Sequence, residues 1–416
     1  MRRGHARLIL AVGMVTVMGV APAFAATTTV LATTQTVDRQ PSGTNDADDP
    51  SFWVHPTDPA QSLIITTVKQ AGIDVFRPTG QLVQTISIPT TIRFNNVDVL
   101  YGIQVAGAPQ DLAVVSDRGT DKIHVYRIDG SATAPLTEVT AAGVPLVFGG
   151  TKKIRSKTTY GLTAWSPSPG RGELFVTQEN TTNIAKLVLT DAGGGKVGYQ
   201  KVASISLPNS FTLPNGSSWT PCFNPAHPDW QAHAEGMVVD PSTGTLWVDQ
   251  EIVGLWKMNT DFTARELVHP LTRFGQTYTV VNQKCRVDAT STSYGEPYLP
   301  GDLEGIGLYR RDARDATGYL IISNQQKSIF TVFDRSGQNY LGAFAIGAGP
   351  STDAVEQTDG LDVMNVSLGG QYSQGMLVTQ DGNNAPEGGT NFKFTPWPTV
   401  AGAMGLVVDT SGGPRG

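Results

Sequence analysis

DADDPSFWVHP at 46–56, followed by LIITTVKQAGIDVF at 63–76, decides the fold. An acidic opening leads into a first apolar run, then a β-branched run, then, after a Gln-Ala-Gly turn, a third run. Short runs of this kind, bounded by Gly, Pro, Asn and Asp, read as β-strands. The order recurs along the chain. The openings are Asp48-Asp49-Pro50, Asn95-Asn96-Val97-Asp98, Tyr160-Gly161, Glu235-Gly236, Glu304-Gly305 and Asp359-Gly360. A second strand follows each, at 63–68, 112–117, 173–178, 245–250, 319–324 and 376–381. A third follows at 73–76, 123–126, 184–189, 254–258, 329–333 and 391–397, and several units show a fourth, such as 82–88 and 201–207.

Six units of about four strands predict an all-β chain folded as a six-bladed β-propeller. The last unit lacks an outer strand. The segment TTVLATTQTV at 28–37 would supply it and close the ring from the N-terminal side, removing the exposed edges of an open sheet. Two stacked sandwiches would use the same strands, but they give no reason for six openings of one chemistry. No Pro- or Ser-rich linker divides the chain, so 26–416 reads as one domain.

The first 25 residues read as a signal peptide. Arg2, Arg3 and Arg7 precede an apolar run at 8–20, and Ala23-Phe24-Ala25 has the small-x-small form of a cleavage site. The run is too short for a membrane span. A secreted, monomeric protein with no membrane partner is therefore expected. In an exported chain Cys222 and Cys285, the only cysteines, are candidates for a loop staple, although spacing alone does not bring them together. The 416 residues are 16% charged and 39% hydrophobic, which excludes wholesale disorder, collagen and coiled coil. A net charge of −6 argues against a nucleic-acid partner.

In an antiparallel hairpin the start of the first strand and the end of the second share one end. The openings and the second-strand exits should therefore meet at one mouth. That mouth collects Asp48, Asp49, Asp98, Tyr160, Glu235, Asp302, Glu304 and Asp359 with Lys69, Arg118, Glu251, Gln325 and Asp381. Any one of these acids would ordinarily be a solvated turn residue. Recurrence in unit after unit points instead to a metal-binding mouth. Crowded carboxylates need protons or a cation, and oxygen-only donors suit Ca²⁺. Neither Cys nor His recurs there, which disfavours zinc. Lys69 and Arg118 beside such a cation favour a phosphorylated ligand. The run Lys152, Lys153, Arg155 and Lys157 adds positive charge before Tyr160. Phosphate-binding loops and nucleophile elbows are absent.

The motifs DADDPSFWVHP, NNVDVLYG (95–102), AEGMVVD (234–240), DLEGIGLY (302–309), QTDGLDV (357–363), VTQDGNN (378–384) and the closing NFKFTPW resemble, in order, those of the β-propeller phytases. The resemblance implies a six-bladed propeller of the 3-phytase type. It would use several Ca²⁺ ions to hydrolyse phytate, myo-inositol hexakisphosphate, as a small-molecule calcium salt. It also implies roles. Asp48, Glu235, Asp302, Glu304, Gln325 and Asp359 would hold the active-site ions. Asp49 with Asn96-Val97 would bind a nearby one, and Asp353, Asp381 and Asn384 a structural one tying the last blade. Lys69, Arg118 and Tyr160 would grip phosphates, with Arg155 and Lys157 alongside. Three positions depart from the pattern. Gln178-Glu179-Asn180 stands where a Lys is usual, Gln250 where an acid is usual with Glu251 beside it as the candidate ligand, and Asn383 replaces another acid.

The implied reaction is attack on phosphorus by a Ca²⁺-activated water, with no covalent phosphoenzyme. Asp48, Glu235, Asp302, Glu304 and Asp359 would be its catalytic residues. A lactonase-like propeller hydrolase and a non-catalytic propeller that sequesters calcium or inositol phosphates are the alternatives. Neither requires Lys69 and Arg118 beside the acids.

Overall fold

The computed structural model describes residues 27–39, 46–149, 157–311, 317–386, 388–411 and 413. The proposed signal peptide lies outside these residues. Six sheets of four or five strands form the ring, with one eight-residue helix, Trp397–Met404. In the first blade the strands Ala47–Trp53, Leu63–Val68, Gly72–Phe76 and Leu82–Ser87 follow one another as an antiparallel meander. The second, third, fourth and fifth blades open with Phe94–Val105, Thr159–Ser168, Ala234–Asp240 and Leu303–Arg310, each the innermost strand.

The N-terminal segment divides its work. Thr34–Gln35 pairs antiparallel with Gly389–Pro396 and supplies the missing outer strand of the sixth blade, as expected. Thr28–Leu31 goes further and pairs parallel with Tyr340–Gly347, adding a fifth strand to the fifth blade. Two blades are thus covered on their outer edges by one stretch of chain, with Val30 buried between them.

Most strands are apolar on both faces because both faces are covered. Six hydrophobic clusters each draw on two neighbouring blades, and a seventh packs the small hairpins against the fourth. One joins Val97, Val99 and Val115 of the second blade to Ile65 and Val75 of the first, and another joins Trp247 and Leu255 of the fourth to Leu308 and Leu320 of the fifth. A meander with solvent on one face would alternate instead. The C-terminal helix adds Trp397, stacked 4.1 Å from Tyr309 across the joint of the fifth and sixth blades. The sequence reading carried the last strand through Trp397, but Pro396 ends it, since proline lacks the N–H the ladder needs.

The segment 276–300, expected as a loop around Cys285, contains a small hairpin, Tyr278–Val281 with Lys284–Val287, and a second, Phe211–Thr212 with Ser218–Trp219, comes just before Cys222. A Cys222–Cys285 disulfide, with Cα atoms 6.0 Å apart, joins them.

Truncation through Arg39 should uncover two sheet edges and the site of Val30. The expected loss is at least about 2 kcal/mol, the worth of burying one Val, with greater aggregation, read by denaturant unfolding and light scattering. Unchanged stability would show that the ring does not depend on this closure.

Candidate active site

A bulge at the start of five inner strands aims the candidate residues. Register slips between Ala47 and Pro50, Phe94 and Val97, Thr159 and Leu162, Ala234 and Met237, and Leu303 and Ile306. The opening pairs lie inside these slips. A bulge leaves a residue unpaired and re-aims its side chain. The freed N–H of the second bulge residue is met by a hydroxyl from the second strand. Thr67 accepts from Asp49 N (3.1 Å), Ser116 from Asn96 N (3.1 Å), Thr177 from Gly161 N (2.8 Å) and Ser323 from Gly305 N (3.0 Å). Glycine at the second position lets blades approach closely. A Cβ on Gly161 would strike the Glu235 backbone, and one on Gly236 the Glu304 carbonyl. In the fourth blade the hydroxyl position is Asp249, fully buried with neither carboxylate oxygen hydrogen-bonded. Burial pushes its carboxyl well above the ordinary range.

Glu235, Glu251 and Glu304 converge, with one carboxylate oxygen from each lying within 4.8 Å of the others. All three are buried. Burial first, then the neighbouring acids, raises the carboxyls of Glu251 and Glu304 well above their usual range. Glu235 accepts from the Tyr160 hydroxyl and from Asn95 Nδ2, both at 2.6 Å. His233 Nδ1 accepts from Asn180 N (2.9 Å), which leaves Nε2 to donate to Glu251. Burial lowers His233 to about 4, so it is neutral. Both of its nitrogens are used, so the atoms of the cluster left to ligate a metal are carboxylate oxygens. Asp302, raised by burial, accepts from Gln326 Nε2 (2.9 Å).

A second group adjoins the first. Lys69 Nζ lies 2.8 Å from Asp359 Oδ2 and 3.6 Å from Asp48 Oδ1, while Gln325 Nε2 donates to Asp359 Oδ1 at 2.5 Å. Asp48 Oδ2 is buried and accepts no hydrogen bond. Burial raises Asp48 to about 8 against the pull of Lys69. Arg118 lies 4.5 Å over the Tyr160 ring, donates to Asn95 Oδ1 (2.9 Å) and is ion-paired to Glu179 at 2.5 Å. An orphaned carboxylate oxygen beside three converging glutamates fits a hard divalent cation with oxygen ligands.

The other expected residues fall as follows. Asp49 lies deeper in the channel, accepting from Val97 N (3.0 Å), with Asn96 oriented by Asn95 Nδ2 (2.7 Å). Asp98 does not reach the mouth. It ties the first and third blades through Ser51 and Thr163. The bulge gives the opening of its blade to Asn95 and Asn96. Lys157 is half-buried and paired to Asp229 at 3.2 Å, and Arg155 lies outside the described residues. Asp353, Asp381 and Asn384 do come together, but around Lys393. The Lys393 ammonium, fully buried, donates to Asp381 (2.8 Å), Asn384 (2.8 Å) and Asn391 (2.7 Å) and lies 2.6 Å from Asp353 Oδ1. One ammonium meets part of their charge within the chain. His233 and Asn95 were not among the sequence candidates. His233 does not recur from unit to unit, so the repeat carried no signal for it.

The chain matches the phytase family model over residues 4–212 and 229–413. It is 30% identical over 387 residues to a 3-phytase of Bacillus subtilis (strain 168), covering 91% of this chain and 86% of the relative. Among solved structures it is similar to a protein of unknown function from Bacteroides thetaiotaomicron (TM-score 0.46, 9% identity, 87% of this chain and 75% of that one). A second is BBS1N in complex with ARL6DN (TM-score 0.37, 9% identity, 80% and 75%).

Replacing Lys393 by Met leaves the buried Asp381 and the half-buried Asp353 without their cation. The expected cost is about 3–5 kcal/mol, as for removing one partner of a buried pair, measured by chemical denaturation. Wild-type stability would mean that another cation serves these acids.

Proposed function

The chain belongs to the phytase family, and from that premise we propose that it is a secreted, monomeric, calcium-dependent hydrolase releasing phosphate from phytate. The observation that carries this reading is the juxtaposition of the Glu235, Glu251 and Glu304 cluster with Lys69 and Arg118 at one mouth. Acids alone would repel an anionic ester, and cations alone would not require three buried glutamates. Among the described residues no helix is long and apolar enough to cross a membrane. The leader-like segment at 1–25 supports export.

The residues assigned to the calcium ions are Asp48, Glu235, Glu251, Asp302, Glu304, Gln325 and Asp359, with Asp49, Asn96 and the Val97 backbone for a neighbouring ion. Asp353, Asp381 and Asn384 gather around Lys393, and because one ammonium cannot balance two carboxylates they are assigned to a separate, structural ion at the last blade. Bound calcium would supply positive charge toward phosphoryl oxygens and would acidify water. The side chains do the rest. Asn95 and Tyr160 hold Glu235 from two sides, and Tyr160 keeps its proton because burial and Glu235 raise its pKa. His233 orients Glu251 as a neutral donor. Although burial opposes their charge, Lys69 and Arg118 remain cationic, held so chiefly by Asp359 and Glu179. They are fixed positive charges for the equatorial oxygens of the reacting phosphate. No side chain is assigned as a covalent nucleophile.

Glu304→Ala should abolish phosphate release from calcium phytate while circular dichroism shows an intact fold, and near-normal turnover would overturn the site. Lys69→Ala should lower kcat by roughly 10²–10³, as expected for removing one donor to developing charge. EDTA should stop the wild-type reaction and added Ca²⁺ restore it.

A further inference from the structure

We propose that Phe223 is a positioning residue for the acid cluster: tethered by the Cys222–Cys285 disulfide, it holds the His233 ring where Nε2 meets Glu251. This rests on the reading of Glu251 as a calcium ligand. It makes a cross-link outside the six sheets a determinant of metal affinity at the mouth.

The three glutamates are not held alike. Glu235 accepts from Tyr160 and Asn95, both at 2.6 Å. Glu251 receives the Tyr160 hydroxyl only at 3.4 Å, and His233 is its closer partner. An outer-shell donor of this kind fixes how a carboxylate is presented to a metal. His233 must itself be fixed to do so. Its Nδ1 accepts from Asn180 N (2.9 Å), but one bond leaves the ring free to pivot. Two aromatic rings limit that freedom. Tyr160 and Phe223 each pack edge-on, with centroids 4.7 Å from His233 and interplanar angles of 61° and 76°.

Tyr160 lies on an inner strand and its hydroxyl is committed to Glu235, so its place is set by the ring of blades. Phe223 lies in a loop, and its place depends on what fastens that loop. The residue before it, Cys222, is bonded to Cys285 of the hairpin Tyr278–Val281 with Lys284–Val287. Upstream, Trp219 Nε1 donates to the Gln276 carbonyl (2.9 Å) and the indole packs 4.7 Å from Phe274. Downstream, the Asn224 carbonyl accepts from His227 N (2.9 Å). Phe223 itself joins the small apolar cluster of Leu213, Ala232, Val253 and Phe274. Residues 213–228 lie between the two segments that the family model matches, so this contact is not one that family membership supplies.

The test measures Ca²⁺ binding by calorimetry and the His233 imidazole by NMR of histidine-labelled protein. It compares wild type with Phe223→Ala, Phe223→Tyr and Cys222→Ser/Cys285→Ser. Phe223→Ala should weaken the tightest Ca²⁺ binding about tenfold, as for loss of an outer-shell partner, and shift the His233 Nε2 resonance. Phe223→Tyr keeps a ring in place and should restore both. The cysteine variant should move both in the direction of Phe223→Ala. Adding Phe223→Ala to it should cost little more, because the two act through one contact. Unchanged Ca²⁺ affinity or an unchanged His233 resonance in Phe223→Ala would overturn the proposal, even if denaturant unfolding showed lower stability. If the wild type bound no Ca²⁺, the calcium reading of Glu251 would fail instead. The His233 resonance would then decide alone whether Phe223 positions the ring.

Discussion

Burying carboxylates together is the constraint on which the rest of the molecule depends. Each ionised acid removed from water costs several kcal/mol unless a cation meets it. The chain meets this demand in three ways. Asp359 and Asp48 share Lys69, and Asp353 and Asp381 share Lys393. Glu235, Glu251 and Glu304 share only neutral donors among the described residues, namely Asn95, Tyr160 and His233. The third case, with no ion-paired cation among the described residues, is the most unbalanced, and it stands at the mouth. A cation site is the physical consequence of that imbalance.

The ring makes the imbalance geometrically possible. Six inner strands begin at one end, and a bulge at the start of five of them turns two residues out of the ladder. Thr28–Leu31 and Thr34–Gln35 close the outer edges of the fifth and sixth blades, where the ring's two ends meet. Hydroxyls at Thr67, Ser116, Thr177 and Ser323 hold the bulges by accepting their freed N–H groups. Fixed side chains of this kind need little reorganisation when charge develops on a ligand.

Much of this was legible in the sequence, because repetition amplifies a weak local signal. A single Glu-Gly is only a turn, whereas six acid or polar openings followed by β-branched runs mark an inner strand and its mouth. Glu235, Glu304, Asp359 and Lys69 were found in this way. Asp98 was misplaced because two asparagines ahead of it occupy the bulge, a shift of register that period-two reasoning does not resolve. Lys393 was missed because a lysine in an apolar strand gives no hint that its ammonium lies among four acceptors. The two small hairpins near the cysteines were not found because their strands are two to four residues long, below the length at which periodicity is visible.

The direct measurement of the central claim is calorimetric titration of Ca²⁺ into the metal-free protein and into its Glu235→Gln/Glu251→Gln/Glu304→Gln variant. The account predicts saturable binding in the first and loss of the tightest binding event in the second, with both chains folded. Equal calcium binding by the two proteins would contradict it.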